Sequence, residues 1–210
     1  MSDQRPQPRD WFFREHDNFL SAPVADAASG YCDHLINSDK HVWSTNYGWL
    51  KGKEAGSHSN PRLERYENLV LVHQIVESNP QLYENIVRDI QRYYPNLEPE
   101  TPKACQFFVW TGGSRIEWHM DFKAHLEKNR RSGAITIYLN RKWDLEWGGD
   151  FLYKDQQGKV QRVTPDYNKA VHIGAVDHRS TIINGRHFRK CIQIFVKERS
   201  QPVDITTDFC

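Results

Sequence analysis

The sequence has no excess charge of either sign: 28 lysines and arginines stand against 27 aspartates and glutamates in 210 residues. A dedicated nucleic-acid or polybasic membrane binder carries a basic surplus, so this balance argues against both. Long apolar runs are missing too. Nothing approaches the roughly 18 residues that a membrane-crossing helix needs. The opening stretch, MSDQRPQPRD, lacks the apolar segment of a secretory leader. Cysteine is sparse: Cys32, Cys105, Cys191 and Cys210 lie far apart and form no CxxC pair. That excludes a disulfide frame or zinc clip and predicts reduced thiols in a cytoplasmic protein. No internal repeat is visible. The apolar share, 38%, is enough for one core at the length of an ordinary domain.

What is present divides the chain. Residues 1–15 are expected to be a flexible N-terminus, 16–100 a mixed and largely helical support region, 101–197 a strand-rich core, and 198–210 a tail. In the support region Ser21 precedes Ala22-Pro23 and apolar side chains at Val24, Ala28, Tyr31 and Leu35. This is one face of a helix with Ser21 as candidate N-cap. A second helix is expected from Asn79-Pro80, with Leu82, Ile86, Ile90 and Tyr93 at helical spacing and Pro95 as its stop. Trp49–Pro61, with two glycines, two serines and a proline, reads as a long loop, and Asn68–Glu77 fits strand or helix. From Cys105 onward eight short strands are expected, at 105–111, 115–119, 133–139, 150–153, 160–164, 170–175, 179–183 and 189–196. Many are separated by turn residues such as Gly112-Gly113, Gly148-Gly149 and Asn184-Gly185. That density of strands implies a sandwich or barrel.

Ten histidines are a rich complement, and His119-Met120-Asp121 is notable among them. In a strand, residues i and i+2 share a face, so an imidazole and a carboxylate converge. Such a pair also arises by chance in a histidine-rich chain. A later histidine on a facing strand would complete two His and one carboxylate, the donor set of non-haem Fe(II) oxygenases. His178 and His172, 57 and 51 residues beyond Asp121, are the candidates. The last strand opens with Arg189, and alternation puts Arg189, Cys191, Gln193 and Phe195 on one face and Ile192, Ile194 and Val196 on the other. Arginine suits a carboxylate, because its planar fork gives two parallel bonds. Equally, Arg186, Arg189 and Lys190 fit a solvated strand end.

Taken together these segments resemble the Fe(II)- and 2-oxoglutarate-dependent dioxygenases, within them the prolyl 4-hydroxylase-like branch. Phe19-Leu20-Ser21 and the helix after it look like the family's opening. Trp110, Gly113, Ile116, His119 and Asp121 follow its aromatic–Gly–aromatic–HxD spacing, with Trp110 in place of the usual Tyr and Ile116 in place of the second aromatic. Lys142–Phe151 is similar to the hypoxia-factor prolyl hydroxylases, and Pro165 stands where the family often has proline before the sixth core strand. The resemblance spans residues 17–197. It implies a mainly β fold with flanking α: a double-stranded β-helix (jelly-roll, cupin-like) core with N-terminal helices packed on one face. It also implies Fe(II), 2-oxoglutarate and O₂, with ascorbate a further candidate.

By resemblance, His119, Asp121 and His178 hold the metal. His178 is preferred to His172 because the family's distal histidine precedes, by about ten residues, the basic residue opening the last strand; Arg189 lies 11 beyond His178 and 17 beyond His172. Arg189, with Arg186 and Lys190 as alternatives, holds the far carboxylate of 2-oxoglutarate, and Tyr138 assists. The substrate implied is a prolyl residue in a peptide or protein, with Trp49–Pro61, flanked by Trp43, Tyr47 and Trp49, closing over it. Alternatives are a small-molecule or free amino-acid hydroxylase, an AlkB-like nucleic-acid demethylase, and a non-enzymatic cupin-like binding module. Against the demethylase, that family usually carries a second arginine soon after the first in the last strand, and Cys191–Phe195 has none. No nucleic-acid or membrane partner is expected.

Overall fold

The computed structural model describes residues 11–38, 43–45, 56–58, 69–121 and 131–199. All eight core strands are present: β6 (Cys105–Trp110), β7 (Ile116–His119), β8 (Arg131–Tyr138), β9 (Phe151–Lys154), β10 (Val160–Val163), β11 (Ala170–Ile173), β12 (His178–Ser180) and β13 (Arg189–Glu198). Five further strands come from the support region: β1 (Phe13–His16), β2 (Trp43–Thr45), β3 (Gly56–His58), β4 (Leu69–Gln74) and β5 (Leu97–Pro99). The large sheet runs β1-β11-β8-β13-β6-β4-β2-β3, with β5 also paired to β13; the small sheet runs β10-β9-β12-β7. The pairings are antiparallel, and the two sheets face each other as a double-stranded β-helix.

Period-2 alternation decides which way each side chain of the large sheet points. Phe107, Val109, Ile135, Ile137, Ile192 and Ile194 are fully buried on one face, against the helices. Phe108, Trp110, Tyr138, Cys191 and Val171 lie on the other, against Phe151 and Ile183 from the small-sheet side. The first face is covered by α1 (Ala22–Asn37), through Ala25, Ala28, Cys32 and Leu35, and by α3 (Pro80–Tyr93), through Leu82, Ile86 and Ile90. A short α2 (Ile75–Ser78) precedes α3. Among the described residues no helix is long and apolar enough to cross a membrane.

Several local expectations change in detail. Ser21 occupies the N-cap position of α1, but its side chain does not cap the helix. Its N–H and Oγ both donate to Asp89 Oδ2 on α3, at 2.8 and 2.7 Å. Asn79 does cap α3, accepting from the Leu82 N–H at 3.2 Å. Tyr93 remains 42% exposed, stacked on Phe19 at the end of the helix. The ambiguous 68–77 segment is strand, then helix: Leu69, Val70 and Leu71 at its start are buried on both sheet faces, where β-branched residues pack well. The support region is therefore less helical than its composition suggests. β1 falls partly within the stretch expected to be flexible, and β3 falls within the expected Trp49–Pro61 loop. The rest of that loop, Tyr47 and Cys210 lie outside the described residues. Cys32, Cys105 and Cys191 are buried free thiols. Burial pushes Cys105 up to about 12 and Cys191 up to about 11, with the charge of Arg189 opposing the second rise.

Candidate metal and co-substrate site

The register of the small sheet brings the two histidines together. His119 ends β7, His178 begins β12, and the two are cross-strand partners. Their ring centroids are 4.2 Å apart. Asp121, just past the end of β7, reaches both: Oδ1 lies 3.2 Å from His119 Nε2 and Oδ2 lies 3.7 Å from His178 Nε2. Two donors each about 2.1 Å from one ion and at right angles would be about 3 Å apart, so this spacing suits a shared metal. One donor atom from each of the three residues lies within 4.8 Å of the others.

The other ring nitrogens fix the tautomers. His119 Nδ1–H donates to the Glu117 carbonyl at 2.8 Å and His178 Nδ1–H to the Val176 carbonyl at 2.9 Å. A carbonyl can only accept, so each Nε2 keeps its lone pair for a metal. Burial lowers the pKa of His178, with the Asp121 charge opposing. For His119, burial is also the largest single influence and acts downward; the hydrogen bond to Asp121, the Glu117 carbonyl and nearby carboxylate charge together outweigh it, and the pKa is raised. Two imidazoles and a carboxylate, all on one side, fit Fe(II) with open positions toward the cavity.

That cavity, about 330 Å³, lies between the sheets. Arg189 projects into it from the start of β13, 5% exposed. Its Nη1 donates to the Gly149 carbonyl at 2.6 Å, and its guanidinium lies 5.8 Å from the centroid of the Trp110 ring. Nε has no hydrogen-bond partner, and no ion pair joins Arg189 to a described carboxylate. A buried cation in that condition suits an anionic ligand in the cavity. Tyr138, 1% exposed, lines the same cavity. Its phenol is pushed far up by burial, against the charge of Arg189, so it stays a protonated donor.

The alternatives lie elsewhere. Lys190, next in the strand, points the opposite way and pairs with Asp33 on α1 at 2.9 Å. Arg186 is exposed in the loop before β13. His172 is buried on the helix side of β11, with Phe12 and Tyr94 edge-on to its ring at 4.8 and 4.6 Å.

Sequence reasoning did not single out the supports of Arg189. The Trp143 indole donates to the Gly148 carbonyl at 2.8 Å, and Gly148 and Gly149 both have positive φ, 65° and 69°. A Cβ on Gly149 would stand 3.2 Å from Arg189 Cδ. The Gly-Gly pair announced a turn, but which side chain it would touch depended on a strand that begins 40 residues on. This stretch leads into Phe151, the partner of Ser180, whereas Tyr153 pairs with His178. It therefore closes the end of the cavity beneath Arg189, away from the histidines.

A family model described as the 2OG-Fe(II) oxygenase superfamily matches residues 105–197. The fold is shared with a prolyl-4-hydroxylase from Pseudomonas putida (17% identity, 89% of this chain and 92% of that one, TM-score 0.58). It is also shared with a prolyl hydroxylase from Trichoplax adhaerens, solved with a peptide fragment of the hypoxia inducible factor oxygen degradation domain (15%, 89% and 83%, 0.58). AviO1 from Streptomyces viridochromogenes Tue57 is similar over 96% of this chain and 99% of its own (14%, 0.57). No curated protein matches the sequence.

Proposed function

We propose that this chain, whose core belongs to the 2OG-Fe(II) oxygenase superfamily, is an Fe(II)- and 2-oxoglutarate-dependent hydroxylase acting on prolyl residues of a peptide or protein. The observation that carries the chemistry is a cavity with a metal-type triad at one end and, at the other, a buried arginine with no counter-ion among the described residues. Bound together, Fe(II), 2-oxoglutarate and O₂ supply oxidative decarboxylation to succinate and CO₂, with one oxygen atom inserted into a C–H bond. His119, Asp121 and His178 would hold the metal, their rings kept in orientation by the Glu117 and Val176 carbonyls. Arg189 would hold the far carboxylate, and Tyr138 would donate to it. Phe108, Trp110, Phe151 and Phe195 wall the space and keep bulk water from it.

The prolyl reading draws support from the two prolyl hydroxylases sharing the fold, one of them solved with a peptide. The aromatic and aliphatic wall formed by Phe108, Phe195 and Val72 suits a rigid apolar ring, which loses little entropy on docking. The experiment is incubation with Fe(II) and 2-oxoglutarate against prolyl peptides, following succinate and a mass gain of one oxygen atom. His119→Ala and Asp121→Ala are expected to abolish both signals. Turnover surviving either substitution removes the ligand assignment; oxidation confined to a free metabolite removes the prolyl one.

A further inference from the structure

The inner wall of the large sheet is organised in rows, because side chains at paired positions on neighbouring strands stand side by side. From the Arg189 end, the first row is Arg189 with Trp110 and Val70. The second is Cys191 with Phe108 and Tyr138. The third is Gln193, paired with Gln106 on one side and Thr136 on the other, and it continues to Gln74 through Gln106. The fourth is Phe195 with Ala134. Gln193, Gln106 and Thr136 all line the cavity and all are partly exposed to it.

This third row is chemically unlike its neighbours. It consists of two carboxamides and a hydroxyl, uncharged, between an aromatic row below and a phenylalanine above. None of the three side chains makes a hydrogen bond to another described residue, although each sits on a rigid central strand. A packed core would have apolar groups at these positions, and a solvated face would have charges. Polar groups left without partners on a cavity wall are ready to bind something that brings its own donors and acceptors. Neighbouring strands lie about 4.8 Å apart, so the two carboxamides stand close enough to read one extended molecule.

We propose that Gln106, Gln193 and Thr136 form a recognition row for neutral amide groups, so that the substrate is an internal residue flanked by peptide bonds and not a free amino acid; this rests on the hydroxylase reading above. A carboxamide presents a donor and an acceptor in one plane, and a peptide group presents the complementary pair. The apolar rows on either side match side chains alternating with peptide groups. A free amino acid brings an ammonium that needs a carboxylate. Among the described residues lining the cavity, Asp121 is the one carboxylate, and the metal would occupy it. Arg179, the cation besides Arg189, alternates to the outer face of β12, and its guanidinium lies against Trp118 at 5.1 Å.

The test measures succinate release by the full chain with Fe(II) and 2-oxoglutarate, without and with three probes: a library of proline-containing peptides blocked as acetyl and carboxamide, free L-proline with the other free amino acids, and neutral oligosaccharides. Stimulation is expected from blocked peptides and not from the other two. Gln193→Met and Gln106→Met, which keep volume and remove the amide, should raise the peptide KM about tenfold each, with a smaller change in kcat, while melting temperature confirms folding. Equal stimulation by free amino acids or oligosaccharides overturns the row, as do no stimulation by any blocked peptide and an unchanged peptide KM in both variants. Succinate release as such tells the two readings apart: if it occurs without probe or with any probe while the row fails, the iron chemistry stands, and if it is absent both without probe and with every probe the hydroxylase reading falls and takes the row with it.

Discussion

Arg189 and Lys190 are consecutive cations that serve opposite sides of one sheet. Each is almost fully buried; one faces the cavity and the other is tied to Asp33 and Ser29 on α1. Their substitutions should separate cleanly. Removing one side of a buried charge-assisted pair costs about 2–5 kcal/mol, so Arg189→Ala should raise the 2-oxoglutarate KM from about 30-fold to several-thousand-fold while Mn(II) affinity is retained. Lys190→Ala should instead lower stability and change that KM little, and steady-state kinetics beside a urea titration read both. Gly149 makes a subtler test. A methyl group there meets Arg189, Trp143 and Ile183 at 3.1–3.2 Å on a backbone with positive φ. Gly149→Ala should therefore displace the guanidinium and raise the 2-oxoglutarate KM about tenfold or more; a normal KM would mean that the loop does not position Arg189. Alternation along its strand put Arg189 on the cavity face but fitted a solvated strand end equally, and His178 was preferred to His172 only through the family resemblance and its spacing to that arginine. The Gly149 contact was not legible, since it joins a loop to the start of a strand 40 residues on, and only the folded sheet decides their meeting.

At the scale of elements, the eight core strands could be read because each alternates over several residues between two buried faces or is bounded by turn residues. β1, β2, β3 and β5 are only three or four residues long, too short to show a pattern of their own, and β1 and β5 gain their pairing from strands far along the chain. The helices were readable from 3.6-residue periodicity, whereas the destination of Ser21 was not. A serine before a helix has a local acceptor role available, and here Asp89, 68 residues away, draws its hydrogen bonds instead. Asp89, 1% exposed, also pairs with Arg92 at 3.1 Å. Asp89→Ala leaves two donors of Ser21 without partners between α1 and α3, at a cost of about 2–4 kcal/mol, and Ser21→Ala should cost about 1 kcal/mol. Equilibrium urea unfolding measures both. An Asp89→Ala midpoint equal to that of the parent chain would show that the helices dock without this contact.

For the molecule as a whole, the site ties the two sheets together: its proposed metal ligands come from the small sheet and the segment just past it, and its arginine from the large one. Ligands that bridge them should therefore stabilise the entire fold. With Mn(II) and 2-oxoglutarate each at about a hundred times Kd, mass action adds about 2.7 kcal/mol for each ligand, about 5.4 kcal/mol together. At about 2–4 °C per kcal/mol for a chain of this size, the melting temperature should rise by roughly 10–20 °C. Asp121→Ala should lose most of that rise, and calorimetry under nitrogen would record it.

The position of β13 also has a consequence for synthesis. It is the last strand described, yet it lies in the middle of the large sheet, between β8 and β6, and its first residue is the cavity arginine. A growing chain can form β6 and β8 long before the strand that joins them exists. Until then each presents an unpaired edge, with the apolar faces of both cores open to other chains. The protein on the ribosome is thus two unfinished halves awaiting a common centre, and a holdase chaperone binding extended apolar segments would act during that interval. Nascent chains stalled before residue 189 has emerged should be protease-sensitive and chaperone-bound, and release of the final ten-residue strand should convert them in one cooperative step.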